Sequence, residues 1–278
     1  LNFGPQISTN TYVDYCKSVF SSLHGRSGRL NFMIAPSAPQ RCSADLMLAC
    51  MNLALENNVP YHTHVLETKT QAVTGHEHYG KSLIAYMHDL DLLKRNTTIA
   101  HSVWVSDEDM QLMGEAGVSI AHNAVSNQKL GAGISPVRRI LDAGVTVGLG
   151  TDGVCSNDTA HIFDVMRVAG LIHSVSGPDH TKWVEAKDIL RMATIGGAKS
   201  AMLDHITGSL EVAKAADLLI LNLNSYAFMP FNDAAKHLVF AENGSSIETV
   251  MVAGDIVMQN GGLTTVDEAA IFSEIKEL

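Results

Sequence analysis

The chain has little charge for its 278 residues. Asp, Glu, Lys and Arg make up 17%, and only 19 Lys and Arg stand against 29 Asp and Glu. The formal net charge is −10 with His neutral. That shortage of basic residues excludes a nucleic-acid backbone as the main partner, because phosphate binding needs clustered cations. No apolar run reaches the roughly 18 residues of a membrane-spanning helix. The opening LNFGPQISTN has neither a basic region nor an apolar stretch, so no secretory leader is expected. Cysteines are few: Cys16, Cys42, Cys50 and Cys155, with no C-x-x-C pair. A chain of this size needs no disulfide staples, so reduced thiols and a cytoplasmic setting are expected. A phosphate-binding G-x-x-x-x-G-K-[ST] is missing, and GAG at 131–133 is too short for a dinucleotide fingerprint. Ser126 and Ser156 lack a nucleophile-elbow setting.

What the chain does have is apolar material and histidine. Hydrophobic residues make up 46%, enough for a sizeable core, and there are 13 histidines. Strand-like runs alternate with helical patterns: LNFMIAP (30–36), VPYHTHV (59–65), TTIAHSV (97–103), VSIAHNA (118–124) and VTVGLGTD (145–152). Each is followed by a helical segment, and the first is preceded by STNTYVDYCKSVFSSL. Short strands alternating with helices predict an α/β fold with a parallel sheet of five strands. Ser106, with Asp109 three residues on, reads as a capping box. Past the helices at 185–203 the texture changes to short β-runs, ADLLILNL (216–223), HLVF (237–240), ETVMVAG and DIVMQNG, with a hairpin tip expected at Gly254-Asp255. The tail TTVDEAAIFSEIKEL reads as a final helix.

The chemistry-capable residues recur at one place in each unit. Ser37 follows the first strand, and His64 and Glu67 lie at the end of the second. His101 ends the third, His122 and Asn123 the fourth, and Asp152 the fifth. In a β/α barrel those C-terminal strand ends converge on one face, where catalytic groups sit. Two or more imidazoles converging with a carboxylate form a metal-site pattern suited to Zn²⁺ or Fe²⁺. His62, two residues before His64, points to the same side of a regular strand. GHEH (75–78) also contains His-x-His, but it lies in a polar helical region away from the strand end.

The runs HVLET, IAHSVWVSDEDMQLM and IAHNAVSNQKLGAGISPVRRILDAGVTVGLGTDGVCSND resemble the amidohydrolase superfamily, in its aminohydrolase and chlorohydrolase branch. The similarity runs from about residue 30 to 262 and includes MATIGGAKSAM and GSLEVAKAADLLIL. The resemblance implies a metal-dependent eight-stranded TIM-like barrel with a small β-sandwich. The chain would supply its last five βα units over residues 1–205, part of the sandwich over 206–262 and a C-terminal helix over 263–278.

It further implies roles. His64 matches a metal ligand, and Glu67 a glutamate that contacts the substrate ring and shuttles a proton. His101 matches a histidine that orients the attacking water, or binds metal in binuclear relatives. Asp152 matches a residue that is both ligand and general base. Ser37 and His122 would line the substrate site. One divalent ion is implied, zinc in preference to iron, with a small heterocyclic substrate and a homo-oligomer in many relatives. The reaction implied is deamination of an amino-substituted purine, pyrimidine or triazine by metal-bound hydroxide. The alternatives are a dechlorinating or amide-hydrolysing member, or a catalytically incomplete fragment.

Three departures stand out. Ser37 occupies a position where many such deaminases have His, which counts against an adenosine-type substrate. Ala213 stands where Gly is usual. The His-x-His of the family's first strand is not in this chain, so two further ligands must come from elsewhere in a longer chain or from another molecule.

Overall fold

Four short strands, β1 (Tyr61–Val65), β2 (Thr97–His101), β3 (Ser119–His122) and β4 (Thr146–Leu149), pair in parallel in the order β1-β2-β3-β4. They are seen in a computed structural model that describes residues 7–277. Residues 1–6 and 278, which include most of the opening used above against a leader, lie outside the described residues. The registers are regular: His64 sits beside Ala100, Ala100 beside Ala121, and His122 beside Leu149. Parallel pairing brings all four C-terminal ends to one edge. Both faces of the sheet are largely covered, and all five residues of β2 are buried, its threonines and histidine included.

The helices follow their sequence signals. First come α1 (Thr9–Leu23) and α2 (Ala44–Glu56), capped by Ser8 and Ser43. Ser and Thr at these positions accept a hydrogen bond from an otherwise unpaired amide, worth about 1 kcal/mol each. α2 turns Met47, Cys50, Met51, Leu53 and Ala54 inward. α3 (Lys69–Tyr79) and α4 (Leu83–Asp89) follow β1, and α3 carries His76 and His78 in its last turn. α5 (Asp107–Ala116) begins with the expected Ser106–Asp109 capping box, both halves of which are formed. α6 (Ala124–Lys129) and α7 (Val137–Asp142) lie between β3 and β4. After β4 come α8 (Val154–Asn157) and α9 (Ile162–Ser174).

α10 (Ala186–Arg191) runs through a π-helical turn, Met192–Gly196, into α11 (Gly197–Ser200). This segment packs backbone to backbone on β4. A methyl group at Gly196 would overlap the Val147 carbonyl oxygen, and one at Gly148 would meet Ser200 and Gly197. Thr98 of β2 also donates to the Ser200 carbonyl, at 2.5 Å.

Two expectations are corrected. LNFMIAP is extended but forms only one bridge, Ile34 to Tyr61, so four strands stand where five were expected. It lies along β1 through Ile34 N–H to the Pro60 carbonyl, and through the His62 and His64 amides to the Ile34 and Ser37 carbonyls. HLVF is not a strand. α12 (Ala234–Lys236) continues into a π-helical turn, His237–Ala241, with Val239 fully buried and Phe240 seated over Gly170 of α9. A four-residue apolar run suits a buried strand or a buried helical turn equally well.

The remaining strands, β5 (Leu218–Leu221), β6 (Ile247–Val252), β7 (Asp255–Gln259) and β8 (Gly262–Leu263), form one antiparallel sheet. Its hairpin tips are Ala253-Gly254 and Asn260-Gly261, with positive φ at both residues of each, as two-residue hairpins require. The first tip therefore sits one residue earlier than expected. Ala213 has φ 76°, which explains why glycine suits that position. Among the described residues this sheet has no facing second sheet: none of its strand residues is buried, and Leu219, Ile220, Ile256 and Leu263 are exposed. α13 (Glu268–Lys276) ends the described chain.

Candidate active site

The C-terminal strand edge is backbone-strained. Leu66 after β1, His101 and Ser102 at the end of β2, and Asp152 after β4 all have positive φ, between 49° and 75°. Non-glycine residues adopt this region only when their surroundings over-determine it, and such strain clusters at functional sites. The ends of β1 and β2 are tied together. Ser102 N–H donates to the Val65 carbonyl, and Val103 and Trp104 N–H both donate to the Leu66 carbonyl.

His64 is held by main chain. Its Nδ1 lies 2.7 Å from the Ser37 carbonyl oxygen. A carbonyl can only accept, so Nδ1 carries the proton and Nε2 keeps a free lone pair. The His64 and His101 rings stack with centroids 5.5 Å apart and planes 25° from parallel. His101 is buried, and its Nε2 lies 4.0 Å from Glu67 Oε1. Glu67 precedes α3, its amide donating to Gln71 Oε1 at 2.7 Å while Thr68 caps the helix. Its carboxylate is left for the edge rather than spent on the cap.

Asp152 completes the group from β4. Its Oδ2 accepts from the Ser126 hydroxyl at 2.5 Å and its Oδ1 from the Gly153 amide at 2.7 Å. Partial burial pushes its pKa up, but the Ser126 hydroxyl, the Gly153 amide and the nearby His101 outweigh that and hold it below the usual carboxylate range. Asp152 is therefore ionised throughout the neutral range. Gly150 allows this strand end its closest neighbour, since a methyl group there would overlap the Asn123 side-chain oxygen.

Ser37 is exposed, and the group it engages is its carbonyl, through both the ring and the amide of His64. His122 lies deeper than the sequence pattern suggests. It is 1% exposed, and its Nε2 lies 3.2 Å from Nε2 of His173 on α9. Among the described residues its Nδ1 is buried without a hydrogen-bond partner. Asn123 brings its amide nitrogen to 3.4 Å from His101 Nδ1. His62 lies on the His64 side of β1, its ring 6.1 Å from that of His64, and its Nδ1 is also buried and unpartnered. Burial, with His64 and His101 nearby, pushes its pKa down to about 4.

Three residues that the sequence reading did not credit belong to this group. Asn127 accepts from His101, Ser126 donates to Asp152, and His173 backs His122. His173 is 3% exposed, and burial lowers its pKa to about 4. The sign follows directly. The unfolded chain binds a proton below pH about 6.5, whereas the folded chain does not until about pH 4. Stability from this histidine is complete above about pH 6.5 and is lost as pH falls toward 4, by about 1.4 kcal/mol per pH unit. Denaturant unfolding between pH 7.5 and 5 should show this loss, and His173→Gln should lessen it, leaving the share that buried His62 and His122 contribute in the same direction. An unchanged slope in the variant would show that the histidine is not neutral in the fold.

Among the described residues, no three His, Cys, Asp or Glu side chains are grouped tightly enough to hold a metal ion alone. The donors present nevertheless fit a divalent ion as part of a set. His64 Nε2 is free and its other nitrogen anchored, and Asp152, ionised, follows β4 at the same C-terminal edge of the sheet. A cleft of about 720 Å³ opens among Pro60, Arg95, Gly117, Thr146 and Lys199, where the strands begin.

Residues 10–257 match the model described as "Amidohydrolase family". The chain is 34% identical over 250 residues to a 5'-deoxyadenosine deaminase of Methanosarcina barkeri, covering 90% of this chain and 57% of that protein. It is 39% identical over 232 residues to a 5-methylthioadenosine/S-adenosylhomocysteine deaminase of Thermococcus kodakarensis, covering 84% and 54%. The chain thus spans little more than half the length of these relatives. Among solved structures, an adenosine deaminase from Xanthomonas campestris with bound zinc superposes with a TM-score of 0.93 at 26% identity, covering 100% of this chain and 63% of that one. Atrazine chlorohydrolase from Arthrobacter aurescens, complexed with zinc, gives 0.92 at 27%, covering 97% and 60%.

Proposed function

The chain belongs to the amidohydrolase family, and on that footing we propose that the polypeptide containing it removes the exocyclic amino group of an adenosine-type nucleoside by hydrolysis. The observation that carries this reading is the surroundings of His101: its ring stacks on His64, its Nε2 lies 4.0 Å from Glu67, and it is among the groups that keep Asp152 ionised. The deaminase relatives support the reaction class. His64 and Asp152 would hold a divalent ion, zinc in preference to iron, together with ligands from outside this chain, and His101 stands close by. Such an ion supplies a water acidic enough to react near neutral pH.

The residues divide the proton work. Asp152, kept ionised, takes a proton from the attacking water, whose oxygen bonds to the ring carbon bearing the amino group. His101, fixed by Asn127, orients that water. Glu67 in its acid form protonates the adjacent ring nitrogen, so the ring accepts the electron pair. Asp152 then returns its proton to the amino group, the carbon–nitrogen bond breaks and ammonia leaves. As the carbonyl forms, its hydroxyl proton passes to Glu67, restoring the starting state. Ser37 would lie at the open rim against the substrate, and His122 would form its buried backing.

The serine at position 37 favours a second reading, replacement of chloride on a triazine, which the chlorohydrolase likeness also supports. The adenosine-type reading prevails because the Ser37 carbonyl, which any residue would supply, anchors His64. The test is product release by the complete zinc-loaded polypeptide. Ammonia is expected from 5'-deoxyadenosine or 5-methylthioadenosine, and no chloride from a chlorotriazine. Chloride without ammonia would establish the second reading, and neither product would overturn both.

A further inference from the structure

Two neighbouring residues on α6 hold two different reacting groups. Ser126 is fully buried and donates to Asp152 Oδ2. Asn127 is 2% exposed, and its Oδ1 lies 2.8 Å from His101 Nδ1. The groups they hold come from separate strands, β4 and β2, which are not neighbours in the sheet. Both receiving residues carry positive φ, so neither backbone relaxes into its position unaided.

The short helix that offers these prongs is closed by its own backbone ladder from Asn123 to Ala132. Asn127 N–H donates to the Asn123 carbonyl, Leu130 N–H to Ser126, and Ala132 N–H to Asn127. On the receiving side, Asn157 of α8 donates to the Thr151 carbonyl at 2.6 Å, which fixes the backbone beside Asp152.

We propose that α6 is a two-pronged positioning element. One peptide unit, between Ser126 and Asn127, sets the spacing and orientation of Asp152 and His101 relative to each other. The inference rests on the hydrolytic reading above and adds a role for two residues outside the reacting set. Side-chain freedom at Asp152 and His101 is removed by bonds from one rigid body rather than from two independent loops, so the two groups move together.

The Asn127 bond also selects a tautomer. An amide oxygen only accepts, so His101 Nδ1 carries the proton and Nε2 turns its lone pair toward Glu67 and the open edge. Asn123 also points an amide nitrogen at this Nδ1, from 3.4 Å. Two donors cannot share one bond, and the shorter contact decides for Asn127.

The experiment uses the complete polypeptide and two readouts. The first is ¹⁵N NMR of the His101 ring in zinc-free protein. The Nδ1–H form is expected in the parent and in Asn127→Asp, which keeps the acceptor, and a mixture of tautomers in Asn127→Ala. The second is steady-state deamination by the zinc-loaded protein. Ser126→Ala is expected to lower kcat about 10- to 100-fold with KM little changed. Ser126→Thr, which keeps the hydroxyl, should restore most of it. An Nε2–H ring in the parent, or a tautomer unmoved by Asn127→Ala, would overturn the Asn127 prong. Parental kcat in Ser126→Ala would overturn the Ser126 prong. The NMR readout needs no turnover, so failure of the deaminase reading and failure of this inference are separable.

Discussion

Asp152→Asn in the complete zinc-loaded polypeptide is expected to lower kcat about a thousand-fold, a typical loss for a general acid–base group. The amide has nearly the same size and keeps an oxygen to accept from Gly153 N–H, so the fold should survive. On the proposed mechanism it removes a group that takes a proton early and gives it back late. It also removes a negative charge that burial opposes and that Ser126, Gly153 and His101 sustain. Zinc per chain should fall as well, because an amide is a poorer ligand than a carboxylate for this ion. The measurements are kcat and metal content after dialysis, beside the thermal midpoint. Full turnover in the variant would remove Asp152 from the mechanism.

The largest effect on stability is expected from Gly196→Ala. A methyl group there would overlap the Val147 carbonyl oxygen and stand 3.1 Å from that of Arg191. Both obstacles are backbone, one in the central sheet and one in the helix, so neither yields by a rotamer change. Overpacking of this kind costs about 3 kcal/mol. For a chain of this size that lowers the thermal midpoint by roughly 6–12 °C. The adjacent position is the control. At Gly197 a methyl would meet only Met192 O, at an ordinary 3.7 Å, so Gly197→Ala should be neutral or slightly stabilising through the unfolded chain. Equal midpoints for the two variants would show that the π-helical turn and β4 do not meet at Gly196.

The sequence was most legible where one signal decided the matter. The Ser106–Asp109 box marked a helix start because its two hydrogen bonds need those residues at that spacing. The polar residues at strand ends were readable because parallel strands, once recognised, send their C-termini to one edge. The losses came where tertiary contact decides. α6 opens at Asn123, whose side chain makes no cap bond, so nothing local announced that Ser126 and Asn127 sit on a helix facing the site. His173 looked like any histidine on an amphipathic helix, and only packing set it against His122. LNFMIAP has the composition of a buried strand, yet its pairing with β1 closes to a single bridge.

The attachment of His64 to the Ser37 carbonyl has an evolutionary corollary. A histidine anchored through the main chain tolerates any side chain at residue 37 that permits the same backbone path. If residue 37 faces the substrate as proposed, selection can vary it without disturbing the anchor of His64. Divergence toward new substrates would thus proceed by point replacements at 37, with no compensating change in β1.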